Sequence, residues 1–97
     1  MKNLEHLYLD HNNIQSISHS ISDLPKLKIL SLVNNRPLTS LVSELFAIPN
    51  LQELNLKKCP VTSLPSNIGD CKHLRVLELQ QTQITELPES IGECEHL

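Results

Sequence analysis

Two short stretches place metal-binding residue types at a fixed spacing. "GDCKHL", residues 69–74, returns as "GECEHL", residues 92–97, so the chain carries Cys71, His73, Cys94 and His96. Two thiolates and two imidazoles are the ligand set of a structural zinc site. The two thiols are also a candidate disulfide. A third cysteine, Cys59, has no His–Asp or Cys–His partner fixed near it by spacing, so a nucleophilic role gains no support. Whether the four ligand types can meet depends on the elements that carry them.

Those elements follow a period. Leu4, Leu7 and Leu9 form L-x-x-L-x-L, and the same spacing returns at Leu27, Leu30, Leu32, at Leu51, Leu54, Leu56 and at Leu74, Leu77, Leu79. The later positions align as well. Asn12, Asn35, Cys59 and Thr82 form one column, followed by Ile14, Leu38, Val61, Ile84, then Ile17, Leu41, Leu64, Leu87 and Ile21, Leu45, Ile68, Ile91. The last apolar column is Leu24, Ile48, Cys71, Cys94. The units are residues 4–26, 27–50, 51–73 and 74–96, with one extra residue in "NNRPL" and the start of a fifth unit at Leu97.

A repeat of this kind cannot bury its own apolar residues; stacked copies bury them between coils. In x-L-x-L-x the side chains alternate between faces. The leucines therefore point inward from short parallel strands, and each contributes roughly 1.5–3 kcal/mol when fully buried. The Asn column stands where the chain leaves the strand, and an Asn amide there can bond backbone groups that the turn leaves unpaired. Pro65 and Pro88 exclude a central strand from the return path. Gly69 and Gly92 permit backbone angles that other residues avoid. The return is thus expected to be extended or to hold short helical turns.

In this register the opening constellation separates. Cys71 and Cys94 take inward places held elsewhere by Leu24 and Ile48, where a free cysteine acts as a small hydrophobe. His73 and His96 take the surface places of Lys26 and Asn50. A thiol pointing in and an imidazole pointing out two residues later cannot readily share one ion, so core packing is the expected role. A Cys71–Cys94 disulfide stays open as an alternative, because stacking brings the two coils together.

The residues that alternate with the strand leucines make the candidate binding surface. They are His6, Ile29, Glu53 and Val76; then Tyr8, Ser31, Asn55 and Glu78; then Asp10, Val33, Lys57 and Gln80. An aromatic group amid polar neighbours suits protein recognition. Tyr8, Ile29 and Val33 are expected to form its exposed apolar patch.

Composition removes other classes. The net charge is −3 and the sequence pI about 5.9, with no basic concentration to follow a phosphate backbone. No run approaches the roughly 18 apolar residues of a membrane span. "MKNLEHLYLDHNN" lacks the apolar run of a signal peptide. No Asn-x-Ser/Thr sequon occurs, and three cysteines offer no disulfide framework. The expectation is a cytoplasmic protein-binding module, neither enzyme nor nucleic-acid or membrane binder, with no cofactor or metal.

The full pattern is identified as a member of the leucine-rich repeat family over residues 4–97. The resemblance implies an α/β solenoid with a short parallel sheet on its concave face, extended or short helical segments on its convex face, and uncapped ends. "LRVLELQQTQITELPESIGECEHL", "MKNLEHLYL" and "LTSLVSELFAIPNLQELNL", with Cys or Thr in the Asn column, resemble the leucine-rich region of plant intracellular nucleotide-binding immune receptors. That resemblance implies ligand sensing or autoinhibitory contact in plant defence. The family's phosphate-binding Gly-x-x-x-x-Gly-Lys-Ser/Thr is absent from this sequence, so nothing about ATP or ADP carries over. The "LPxxIG" units are also similar to those of scaffold proteins that dock Ras-type GTPases or polarity partners, and bacterial leucine-rich proteins use them too. Nothing covers Ile84, Leu87, Ile91 and Cys94 after Leu97. A piece of a longer array is therefore expected, prone to self-association through its open ends.

Overall fold

The computed structural model describes residues 2–97. Four three-residue strands run parallel in sequential order: β1 (His6–Tyr8), β2 (Ile29–Ser31), β3 (Glu53–Asn55) and β4 (Val76–Glu78). The register aligns Leu7, Leu30, Leu54 and Leu77 across the sheet, with His6, Ile29, Glu53 and Val76 on one side of them and Tyr8, Ser31, Asn55 and Glu78 on the other. The backbone ladder reaches beyond the strands, through Leu9 N to Ser31 O at 2.8 Å, Leu32 N to Asn55 O at 2.9 Å and Leu56 N to Glu78 O at 2.9 Å. It reaches the corner too, where His11 N donates to Val33 O, Asn34 N to Lys57 O and Lys58 N to Gln80 O.

The core lies between the sheet and the return path. Leu27, Leu30, Leu32, Leu51, Leu54, Leu56 and Leu74 are each at most 1% exposed. Leu4, Leu7 and Leu9 in the first coil and Leu77 and Leu79 in the last are half-buried, because only one neighbouring coil covers them among the described residues. Phe46, on the second return, is buried in the same core. On the convex side each coil holds a five-residue 3₁₀ turn: His19–Asp23, Ser43–Ala47, Ser66–Asp70 and Glu89–Glu93. Short 3₁₀ turns fit a return that must end within a few residues and then re-enter a strand. Pro65 and Pro88 cap the last two of these turns, where a missing N–H costs nothing.

The glycines serve a different purpose from the one expected of them. Neither Gly69 nor Gly92 has a positive φ. At Gly69 the need is space: a Cβ would stand 2.7 Å from the Ser90 carbonyl oxygen of the next coil. At Gly92 a Cβ would meet nothing within 4 Å. The left-handed backbone falls instead at the corner after each strand. His11, Asn34, Lys58 and Gln81 have φ of 58, 60, 62 and 61°, a conformation that costs non-glycine residues energy.

A column of side chains holds these corners. Asn35 is fully buried and makes three bonds: its Nδ2 donates to Leu32 O at 2.8 Å and to Leu9 O at 3.1 Å, and its Oδ1 accepts from Ile14 N at 3.3 Å. One amide thus serves its own turn and the preceding coil. Asn12 donates to Leu9 O at 2.9 Å, and Thr82 Oγ1 donates to Leu79 O at 2.8 Å. Cys59, fully buried, donates through Sγ to Leu32 O at 2.9 Å. A second column crosses the convex side, with Asn67 Nδ2 donating to Ser43 O at 2.8 Å and Ser90 Oγ to Ser66 O at 2.6 Å, while Asn50 Nδ2, just ahead of the third coil, donates to Pro25 O at 2.8 Å.

Candidate protein-binding face

The cysteine and histidine pairs that open the sequence are divided by the fold. Cys71 and Cys94 are buried, with their thiols turned to Leu51 O and Ile68 O at 3.8 and 3.3 Å. His73 and His96 are exposed. All three cysteines are free thiols. Burial pushes the Cys71 thiol up to about 11, with repulsion from Cys94 adding to it. Burial likewise raises Cys59 and Cys94. A thiol held neutral and enclosed is a poor nucleophile and a poor ligand. Among the described residues no group of three or more His, Cys, Asp or Glu is placed to hold a metal ion.

The strand face is built by alternation, but its twelve candidate residues are not equally available. Tyr8 is 61% exposed and Val76 is 40% exposed; His6, Glu53 and Gln80 are also exposed. Ile29, Val33, Asn55, Lys57, Glu78 and Asp10 are half-buried. Ser31 departs from the expectation of an outward contact residue: it is 6% exposed. Its hydroxyl donates to Asp10 Oδ1 at 2.6 Å, and the same oxygen accepts from Val33 N at 2.9 Å. Asp10 therefore ties β1 to the corner after β2 rather than standing free for a ligand.

The expected apolar patch also shifts. Tyr8, Ile29 and Val76 line one shallow depression together with Glu53, Asn55 and Glu78, whereas Val33 lies outside it. Val33 sits beyond the last strand residue, where the chain turns into the corner. Tyr8 is braced edge-on by His6, with ring centroids 6.3 Å apart and planes at 77°. On the far side, Asn55 Nδ2 donates to Glu78 Oε2 at 2.9 Å, Asn55 Oδ1 accepts from Lys57 N at 3.1 Å, and Lys57 Nζ lies 3.8 Å from Glu78 Oε1. The exposed apolar groups are thus Tyr8 on β1 and Val76 on β4, with half-buried Ile29 on β2, and Glu53, Asn55 and Glu78 supply the polar part of the depression.

The repeat pattern, the sequential parallel sheet and the corner column define one class of protein, and the chain belongs to the leucine-rich repeat family. The family model for leucine-rich repeats in two copies matches residues 2–46 and 49–92. A search of curated proteins finds no match. Among solved structures the chain is similar to a leucine-rich repeat protein of Leptospira interrogans, at 34% identity and a TM-score of 0.94 over 99% of this chain. The chain spans 24% of the length of that protein. Arrays of this family serve generally as protein-binding frameworks that use the concave sheet, not as catalysts.

Proposed function

We propose that this chain is a protein-recognition module whose strand face contacts its partner through Tyr8, Ile29, Glu53 and Val76. The observation that carries the reading is the exposure of Tyr8 and Val76 beside half-buried Ile29 in one depression of the sheet. Exposed aromatic and aliphatic groups that share a concavity supply the desolvated centre on which protein interfaces depend. The test is selection of a random twelve-residue peptide library on the immobilised chain, followed by affinity measurement on variants. Tyr8→Ala with Val76→Ala should weaken the recovered peptides by about tenfold or more, and Lys72→Ala, at a residue that lies outside the depression and pairs with Glu93 of the last 3₁₀ turn, should leave them unchanged. Peptides that bind the double variant as tightly as the native chain would place recognition elsewhere.

The finer reading is a ligand-sensing or autoinhibitory repeat region of an intracellular plant immune receptor, working in the reducing cytoplasm. Its support is the motif "LRVLELQQTQITELPESIG", with Thr82 and Cys59 in the Asn column. Three free buried thiols accord with a reducing setting. The similarity to a bacterial protein says that units of this shape also build bacterial arrays, so the receptor reading rests on the motif alone. The alternative, a scaffold that docks a Ras-type GTPase or polarity partner, draws on "LPSNIG" and "LPESIG". The flanking gene sequence separates them: an in-frame nucleotide-binding domain upstream favours the receptor, and a different upstream domain excludes it.

A further inference from the structure

The depression on the strand face sets an exposed carboxylate between two apolar side chains. Glu53 stands directly between Ile29 and Val76 in the sheet register. It is exposed and enters none of the ion pairs among the described residues, which join His19 to Glu44, Lys28 to Glu5, Lys57 to Glu78 and Lys72 to Glu93. Glu78 lines the same depression, with its carboxylate engaged by Asn55 and, more distantly, by Lys57. The depression is thus lined by two carboxylates, Glu53 and Glu78, and by no lysine or arginine among the described residues.

From this arrangement we infer, resting on the strand face as the binding surface, that the depression receives an arginine or lysine side chain from an extended segment of the partner. Charge complementarity selects the occupant. The methylene stem of such a side chain packs along Ile29 and Val76, as long cationic side chains do on apolar surface. Its charged head meets the Glu53 carboxylate in a charge-assisted hydrogen bond. The exposed ring of Tyr8, on the same depression, adds a cation–π contact. A purely aliphatic side chain packs on Ile29 and Val76 but leaves the Glu53 carboxylate unpaired, and an acidic side chain is repelled by it. The arrangement makes Glu53 a specificity-determining residue and leaves the fold independent of it.

The peptide selection tests this with its sequences rather than its yield. Peptides recovered on the native chain should share a basic residue at one aligned position. Glu53→Gln should weaken them by about tenfold, the loss of one charge-assisted contact, and Glu53→Lys should select a library enriched in acidic residues at that position. Raising the salt concentration should weaken native binding more than binding to Glu53→Gln. Peptides that depend on Tyr8 and Val76 but carry no shared basic residue, or that ignore Glu53→Gln, would overturn this inference and leave the binding-face reading intact. Peptides indifferent to all of these variants, or failure to recover any, would count against both. The amide spectrum of Glu53→Gln should match the native one away from the site, which separates loss of contact from loss of fold.

Discussion

The Cys59 thiol donates to the Leu32 carbonyl of the preceding coil at 2.9 Å, and that carbonyl also accepts from Asn35 Nδ2 at 2.8 Å. A column that begins with asparagine therefore continues with a thiol and keeps the same acceptor. Asn35 satisfies three backbone groups and Cys59 one. Asn35→Ala should cost about 3 kcal/mol, because buried backbone groups lose their partners, and Cys59→Ala about 1 kcal/mol. Urea unfolding measures both; equal losses would mean that the inter-coil bonds of Asn35 add nothing.

Gly69 and Gly92 occupy the same place in successive coils and should respond oppositely to a methyl group. Gly69→Ala sets a Cβ against the Ser90 backbone oxygen, so two coils must part, at a cost of about 1–3 kcal/mol. Gly92→Ala meets open space and should be neutral or stabilise by up to about 1 kcal/mol through the unfolded chain. Thermal melts of the two variants check the contrast.

Much of this could be read from the sequence, and the parts that could not share a cause. Leu, Ile and Val at fixed spacing state which side chains face inward, and the strand register follows directly from their alignment. The inward place of Cys71 and the outward place of His73 follow from the same columns. The corner conformation was not legible, because the column that adopts it reads His11, Asn34, Lys58, Gln81. Of these, asparagine and histidine are enriched at positive φ, but lysine and glutamine carry no such signal. The burial of Ser31 was hidden as well, since alternation gives the direction of a side chain but not the neighbour, here Asp10, that closes over it. Gly69 was legible as a special position, but its reason lay in Ser90, one repeat away.

The corner itself is testable. Lys58 holds φ at 62°, where a β-branched side chain is disfavoured more strongly than a linear one. Lys58→Val should destabilise the chain by about 1–2 kcal/mol. Lys58→Asn should be neutral or mildly stabilising. Equal effects in urea unfolding would mean that the corner relaxes at little cost.

The buried thiols predict a reactivity and an alkaline dependence. At pH 8 a disulfide reagent should label Cys59, Cys71 and Cys94 slowly in the folded chain and rapidly in urea. The Cys71 pKa is raised in the folded state from 9.0 to about 11. Its contribution to stability is therefore whole below pH 9 and is lost as the pH climbs toward about 11. The urea midpoint should fall across that window, and by less in Cys71→Val. An unchanged slope in that variant would assign the alkaline loss to other groups.

The convex surface offers a milder acid dependence. His19 Nδ1 lies 2.8 Å from Glu44 Oε1, linking the first two 3₁₀ turns, and this hydrogen bond holds the Glu44 carboxyl below its ordinary value. A depressed carboxyl contributes stability at neutral pH that is lost as the pH falls through its folded value. His19 is largely open to solvent and Glu44 is partly so, so His19→Ala should change stability only slightly and flatten the acid limb of the unfolding profile.

The most direct test of strand-face recognition is amide chemical-shift mapping of a selected peptide on the native chain. Shifts concentrated at Tyr8, Ile29, Glu53 and Val76, with the 3₁₀ turns His19–Asp23, Ser43–Ala47, Ser66–Asp70 and Glu89–Glu93 undisturbed, are the predicted result. Shifts concentrated on those turns, with the four strand residues silent, would contradict it.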